Sequence, residues 1–136
     1  MVKERYMLDS DICIYITRRN NPKVLARFQS SVAGELAMSV VTYGELRMGA
    51  EKSLQRPAAL SALDTFTTVI PVIPMEQQVA EYYAWIRLDL QRRGLIIGAN
   101  DLWIAAHCLQ LGLTLVTNNQ REFKRIPNLP IENWTH

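Results

Sequence analysis

The chain has 136 residues, 49% of them apolar, 21% charged and 8% aromatic, the size and balance of one packed domain, which excludes a disordered, collagen-like or disulfide-stapled chain. Fifteen Lys and Arg face thirteen Asp and Glu, a net charge of +2, so bulk electrostatics singles out no nucleic-acid partner and only local patches can. Cys13 and Cys108 sit in the apolar segments DICIYI and IAAHCLQL, without metal-ligand spacing or a secretory context, and read as buried reduced thiols of a cytoplasmic protein.

Along the chain, Arg5 to Leu8 predicts a short strand that stops at Asp9-Ser10-Asp11, residues suited to capping a helix. The apolar run through Ile16 then predicts that helix, closed by Asn20-Asn21-Pro22, with Pro22 opening the next one. Leu36 to Val40 predicts a second strand, with Thr42 as N-cap of a helix over 43–52 that carries Glu45 in its first turn. A helical stretch over 58–66 leads to a β-branched run, Val69 to Ile73, that reads as a strand. Val79, Tyr83, Ile86 and Leu90 recur at helical spacing within a long helix over 75–93, ended by Gly94. Asp101 opens a helix that is apolar nearly all round and so buried; Gly112 ends it. Leu113 to Thr117 predicts a third convincing strand, and Ile131 to Trp134 an edge strand. The most apolar region, Leu102 to Val116, is broken by His107 and Gln110 and is too short to cross a membrane.

Strands alternating with helices predict an α/β domain with a mainly parallel sheet, in which functional residues gather at the carboxyl ends of the strands. Three acids occupy such positions: Asp9 ends the first strand, Glu45 opens the helix after the second, and Asp101 opens the buried helix. Asn119, after the strand Leu113 to Thr117, completes the rim with an oxygen but no charge. Carboxylates brought together repel unless a cation or raised pKa values relieve them, and Mg²⁺ takes such oxygen ligands without His or Cys. Taken singly, each residue also fits an ordinary role, since Asp caps helices and Glu in a first turn offsets the helix dipole.

The segments LDSDICIYI, SVVTYGELRMGAEKS, IGANDLWIAAH and LVTNNQREFKRI, in this order over nearly the whole chain and with the terminal IENW, resemble the PIN-domain family. More narrowly, they are similar to the VapC ribonuclease toxins of bacterial toxin-antitoxin pairs. The resemblance implies a three-layer α/β/α fold with a mainly parallel central sheet, residues 1–136 forming one nuclease domain. It also implies an endoribonuclease site dependent on Mg²⁺, or Mn²⁺, with Asp9, Asp101 and Glu45 as metal-binding acids. Asn119 stands where the family commonly has an acid, and Ser10-Asp11 stands where Thr-Asn is usual; Ser10 and Asn119 would orient waters or carboxylates behind the metal ligands. Expected partners are a structured RNA loop in tRNA or ribosomal RNA, the tRNA anticodon stem-loop among them, a cognate VapB-like antitoxin and a second copy in a homodimer.

Arg87, Arg92, Arg93, Arg121, Lys124 and Arg125 are candidates to hold the RNA backbone, since an acidic site alone repels phosphate. His107 reads as a hydrogen-bonded core histidine, and the tryptophans as packing residues. Two other functions compete. A PIN-like RNA-binding module with a decayed pocket is suggested by Asn119. A haloacid-dehalogenase-like phosphatase is suggested by LDSD, which is similar to that family's opening DxD, but too little chain follows Asn119 for its later motifs.

Overall fold

The protein is described from a computed structural model covering residues 2–136. Its elements alternate as expected: β1 (Tyr6–Leu8), α1 (Ser10–Arg18), α2 (Pro22–Gln29), β2 (Leu36–Ser39), α3 (Val40–Glu51), α4 (Arg56–Val69), β3 (Val72–Ile73), α5 (Val79–Arg93), α6 (Ala99–Leu111), β4 (Thr114–Val116), α7 (Gln120–Phe123) and β5 (Ile131–Glu132). The strands form one sheet in the order β3-β2-β1-β4-β5, and all four pairings are parallel. Every strand therefore presents its carboxyl end to the same rim, with β1 and β4 adjacent near the centre.

Side-chain alternation divides the core. Met7 and Leu115 point into a layer with Ile86, Leu90, Leu102 and Ala105 of α5 and α6, whereas Tyr6, Leu8, Met38 and Val116 point into a layer with Ile12, Val24 and Phe66 of α1, α2 and α4. Burial on both faces is why these strands read as continuous apolar runs, as parallel strands do. The result is the expected α/β/α sandwich, with β5 at one edge as predicted. No helix among the described residues is long and apolar enough to cross a membrane.

Three helix boundaries differ from expectation by three residues or more. The helix carrying Glu45 starts at Val40, because Ser39 and not Thr42 is its cap, Ser39 Oγ accepting the Val41 N–H at 3.1 Å. Thr42 is instead fully buried inside the helix. α4 runs through Thr67, Thr68 and Val69, leaving β3 only two residues, because Phe66 and Ile70 are buried on that path and tertiary packing outweighs β propensity. α5 begins at Val79 instead of Met75. Gly94 and Gly112 end α5 and α6 in left-handed conformations (φ 67° and 69°), as glycine permits.

Candidate active site

Asp9 leaves β1 and caps α1 from an extended backbone, its Oδ1 accepting the Ser10 N–H at 2.8 Å. Its Oδ2 accepts the Thr117 hydroxyl at 2.8 Å, so one carboxylate joins the ends of β1 and β4. The side chain is only 6% exposed. Burial, followed by the charge of Asp11, pushes its pKa up from 3.8 to about 6, against the pull of the Thr117 and Ser10 bonds.

Ser10, the first residue of α1, donates its hydroxyl to Glu45 Oε1 at 2.7 Å. This bond ties the start of α1 to the second turn of α3. Asp11 is committed elsewhere: its two oxygens accept the Ile12 N–H at 2.7 Å and the Asn118 N–H at 3.0 Å. It holds the turn after β4, and burial raises its pKa.

Asp101 lies half-buried in the first turn of α6. Burial, then the Asp9 charge, then a hydrogen bond with Glu122, raise its pKa from 3.8 to about 7, with the charges of Glu122 and Glu45 adding to the push. Two carboxyls can share such a bond only if one keeps a proton. Asn119 explains why Glu122 is there, because its Nδ2 donates to Glu122 Oε2 at 2.8 Å while its N–H donates to Thr117 Oγ1 at 2.9 Å. The residue that lacks a charge thus aims one that has it.

Thr117 and Glu122 were absent from the expected set. Glu122 carried a signal: Asn-x-x-Glu over 119–122 has capping-box spacing, although at the start of the short helix α7 the Asn119 side chain bonds the Glu122 side chain and not the backbone. Thr117, a buried hydroxyl just past β4, carried none beyond its place at a strand end.

Among the described residues, no three His, Cys, Asp or Glu side chains are already drawn into a metal-binding cluster. The acids nevertheless act on one another, since the charges of Asp9, Glu45 and Glu122 all bear on Asp101. Burial first, and the charges of neighbouring acids second, raise the Asp9 and Asp101 pKa values, and a bound cation would offset both. The donors are carboxylate oxygens; Cys13 behind them faces the Leu8 carbonyl at 4.0 Å and burial pushes its thiol up, away from the thiolate that binds soft metals. The set fits a hard divalent ion.

The candidate cations divide. Arg93 pairs with Asp89 and reaches the Arg125 carbonyl at 2.6 Å, and Arg125 donates to the carbonyls of Leu95 and Ile96 at 3.4 and 3.2 Å. Together they staple the loop that leads to Asp101. Arg87 donates to the Tyr83 hydroxyl at 2.6 Å. Arg92, Arg121 and Lys124 are exposed and make no side-chain bond to other described residues, so they remain free for phosphate. Of the tryptophans, Trp134 is 5% exposed, Trp103 stacks on Tyr83 with ring centroids 3.8 Å apart, and Trp85 is 61% exposed against Tyr82.

A parallel α/β/α sandwich with acids just past β1 and on α3, α6 and α7, placed along one strand rim, defines a class, and the sequence profile of the PIN domain matches residues 6–129. Ribonuclease VapC2 of Rickettsia felis is 41% identical over 135 residues, covering 95% of this chain and 97% of that protein. The tRNA(fMet)-specific endonuclease VapC of Salmonella typhimurium is 36% identical over 130 residues, covering 96% and 98%. Among solved structures, DNA-bound VapBC from Salmonella typhimurium superposes with a TM-score of 0.90 at 36% identity, covering 96% of this chain and 98% of that one. The chain belongs to the PIN-domain family, in its VapC branch.

Proposed function

We propose that the protein is a divalent-metal-dependent endoribonuclease, the toxin of a toxin-antitoxin pair. The observation that carries this reading is geometric: the buried Asp9 carboxylate joins the ends of β1 and β4 through Thr117 at 2.8 Å, Ser10 beside it holds Glu45 at 2.7 Å, and Asp101 opens α6 close enough to feel the Asp9 charge. Asp9 and Asp101 would hold Mg²⁺ or Mn²⁺ directly, with Glu45 and Glu122 completing the oxygen set. A bound ion of this kind neutralises phosphate charge and acidifies water.

The chain's own residues do the rest. Thr117 and Ser10 fix the carboxylates of Asp9 and Glu45, so neither must reorganise when RNA arrives. Glu45, steadied by Ser10, orients the attacking water and accepts its proton. Arg92, Arg121 and Lys124 take the RNA backbone, offsetting the repulsion between phosphate and four acids. Asn119 supplies Glu122 in place of its own charge, which argues against a decayed pocket.

The substrate we propose is a structured tRNA loop, the anticodon stem-loop first, on the strength of likeness to a tRNA(fMet)-specific endonuclease; such a target puts the activity in the cytoplasm. The partner we propose is a VapB-like antitoxin, laid into the groove between α1, α3 and α4. That groove holds about 330 Å³, is lined by Ile14, Leu46, Ala50, Leu63 and Phe66, and reaches Glu45, so an apolar segment seated there can deliver a basic residue to the acids.

The test is incubation of the protein, freed of antitoxin, with total tRNA in Mg²⁺, Mn²⁺ or EDTA, followed by sequencing of new 5′ ends. A metal-dependent cut at one loop position is expected. Binding without cutting in either metal would reverse the reading in favour of an RNA-binding module.

A further inference from the structure

We infer that His107 is a positioning residue for the acidic site, its buried bond to Ser39 setting where the Glu45 helix stands relative to the Asp101 helix. His107 belongs to α6 and is fully buried, and its Nδ1 lies 2.8 Å from Ser39 Oγ, a hydroxyl also fully buried. Ser39 is the last residue of β2 and the N-cap of α3. The contact therefore joins the helix that opens with Asp101 to the first turn of the helix that carries Glu45, across 68 residues of chain.

The direction of the bond follows from proton accounting. Ser39 Oγ already accepts the Val41 N–H at 3.1 Å, and a hydroxyl has one proton to give. Burial lowers the His107 pKa, keeping the ring neutral; Nε2 reaches no hydrogen-bond partner, and the Ser39 hydroxyl proton has no acceptor but Nδ1, so a donating Nδ1 would strand two buried polar groups and an accepting Nδ1 only one. The tautomer with Nε2–H leaves Nδ1 as the acceptor, so the Ser39 hydroxyl donates to His107 while its oxygen caps α3. One hydroxyl then fixes both the start of α3 and its distance from α6. An apolar residue of similar volume at 107 fills the space but lets the two helices settle independently, and displacements well under the width of an atom matter at a metal site.

The inference rests on the metal-site reading above, and the test separates the two. Mn²⁺ binding to the full chain, freed of antitoxin, is followed at pH 8 by loss of the free-ion EPR signal, with thermal melting in EDTA measured in parallel. His107→Leu is expected to weaken Mn²⁺ binding about 10-fold, and Ser39→Ala by a similar factor, the double variant being no worse than either alone. Leu90→Ala, a core truncation in α5 away from this bond, is expected to lower the melting temperature without moving Mn²⁺ affinity. His107→Asn keeps an acceptor oxygen near the Nδ1 position and should bind within about 2-fold of wild type, whereas His107→Gln puts its amide near the Nε2 position and should not. Equal affinities for the Asn and Gln variants, or a loss in Leu90→Ala matching that in His107→Leu, would overturn the positioning role while leaving the metal site standing. Wild-type protein that takes up no Mn²⁺ would remove the metal-site reading and this inference together.

Discussion

Asp9→Asn is expected to abolish RNA cleavage, by about a thousandfold or more, while making the metal-free protein more stable. The loss follows because the carboxylate most deeply placed at the rim is replaced by an amide that a hard cation does not take as an anionic ligand. The gain follows from burial: Asp9 is 6% exposed and its pKa is raised from 3.8 to about 6, so ionising it in the folded chain at pH 8 costs about 3 kcal/mol relative to the unfolded chain. Asparagine carries no such cost, and its oxygen can still accept the Ser10 N–H that caps α1. Allowing for an imperfect fit against Thr117, a net gain of about 1 to 3 kcal/mol is expected in urea unfolding with EDTA at pH 8. Added Mn²⁺ should raise the stability of wild type and leave the variant unchanged. An Asp9→Asn protein that cuts at the wild-type rate, or that is destabilised in EDTA, contradicts this account of the residue.

The second expected result is a pH dependence with opposite signs for activity and metal-free stability. Both Asp9 and Asp101 have folded pKa values above the 3.8 of the free side chain, at about 6 and about 7. The folded chain therefore binds more protons than the unfolded one between about pH 4 and 7. Their favourable contribution is fully present below about pH 4 and is lost as pH rises through 6 and 7. In EDTA these groups should make the protein more stable at pH 5 than at pH 8. Activity runs the other way, because the ion competes with protons for the same oxygens. At limiting Mg²⁺ the cleavage rate should climb steeply between pH 5.5 and 7 and level off above about 7.5, the midpoint moving down as Mg²⁺ is raised. A flat profile, or a midpoint indifferent to Mg²⁺, contradicts the assignment of these carboxylates as the ion's ligands.

Much of the candidate site's placement could be read from the sequence because its parts are local. Asp9, Glu45 and Asp101 each follow a strand or open a helix, and short parallel βα units bring such positions to one rim. Gly94 and Gly112 marked helix ends for a backbone reason that needs no tertiary context. What escaped reading depends on distant parts of the chain. Ser39 and Thr42 are equally good caps by residue type, and only the pairing of Ser39 with Ile73 at the end of β2 decides between them. Thr67 to Val69 favours a strand by propensity, yet it stays helical because its neighbours Phe66 and Ile70 are buried there. Arg93 and Arg125 looked like free cations until the fold joined them across 32 residues. Glu122 was hidden by the brevity of α7, four residues long, although the Asn119 to Glu122 spacing announced it. The departure at Asn119, read alone, suggested a weakened site; in the fold its amide holds the Glu122 carboxylate at 2.8 Å, which is why we propose Glu122 as the fourth acid.

The most direct measurement is the anomalous difference density of a crystal of the protein, free of antitoxin, soaked in Mn²⁺ at pH 8. A single strong peak between the carboxylates of Asp9 and Asp101, with Glu45 or Glu122 turned toward it, is the predicted result. Density that leaves those two carboxylates without an ion, while Mn²⁺ binds elsewhere on the chain or nowhere, would contradict it.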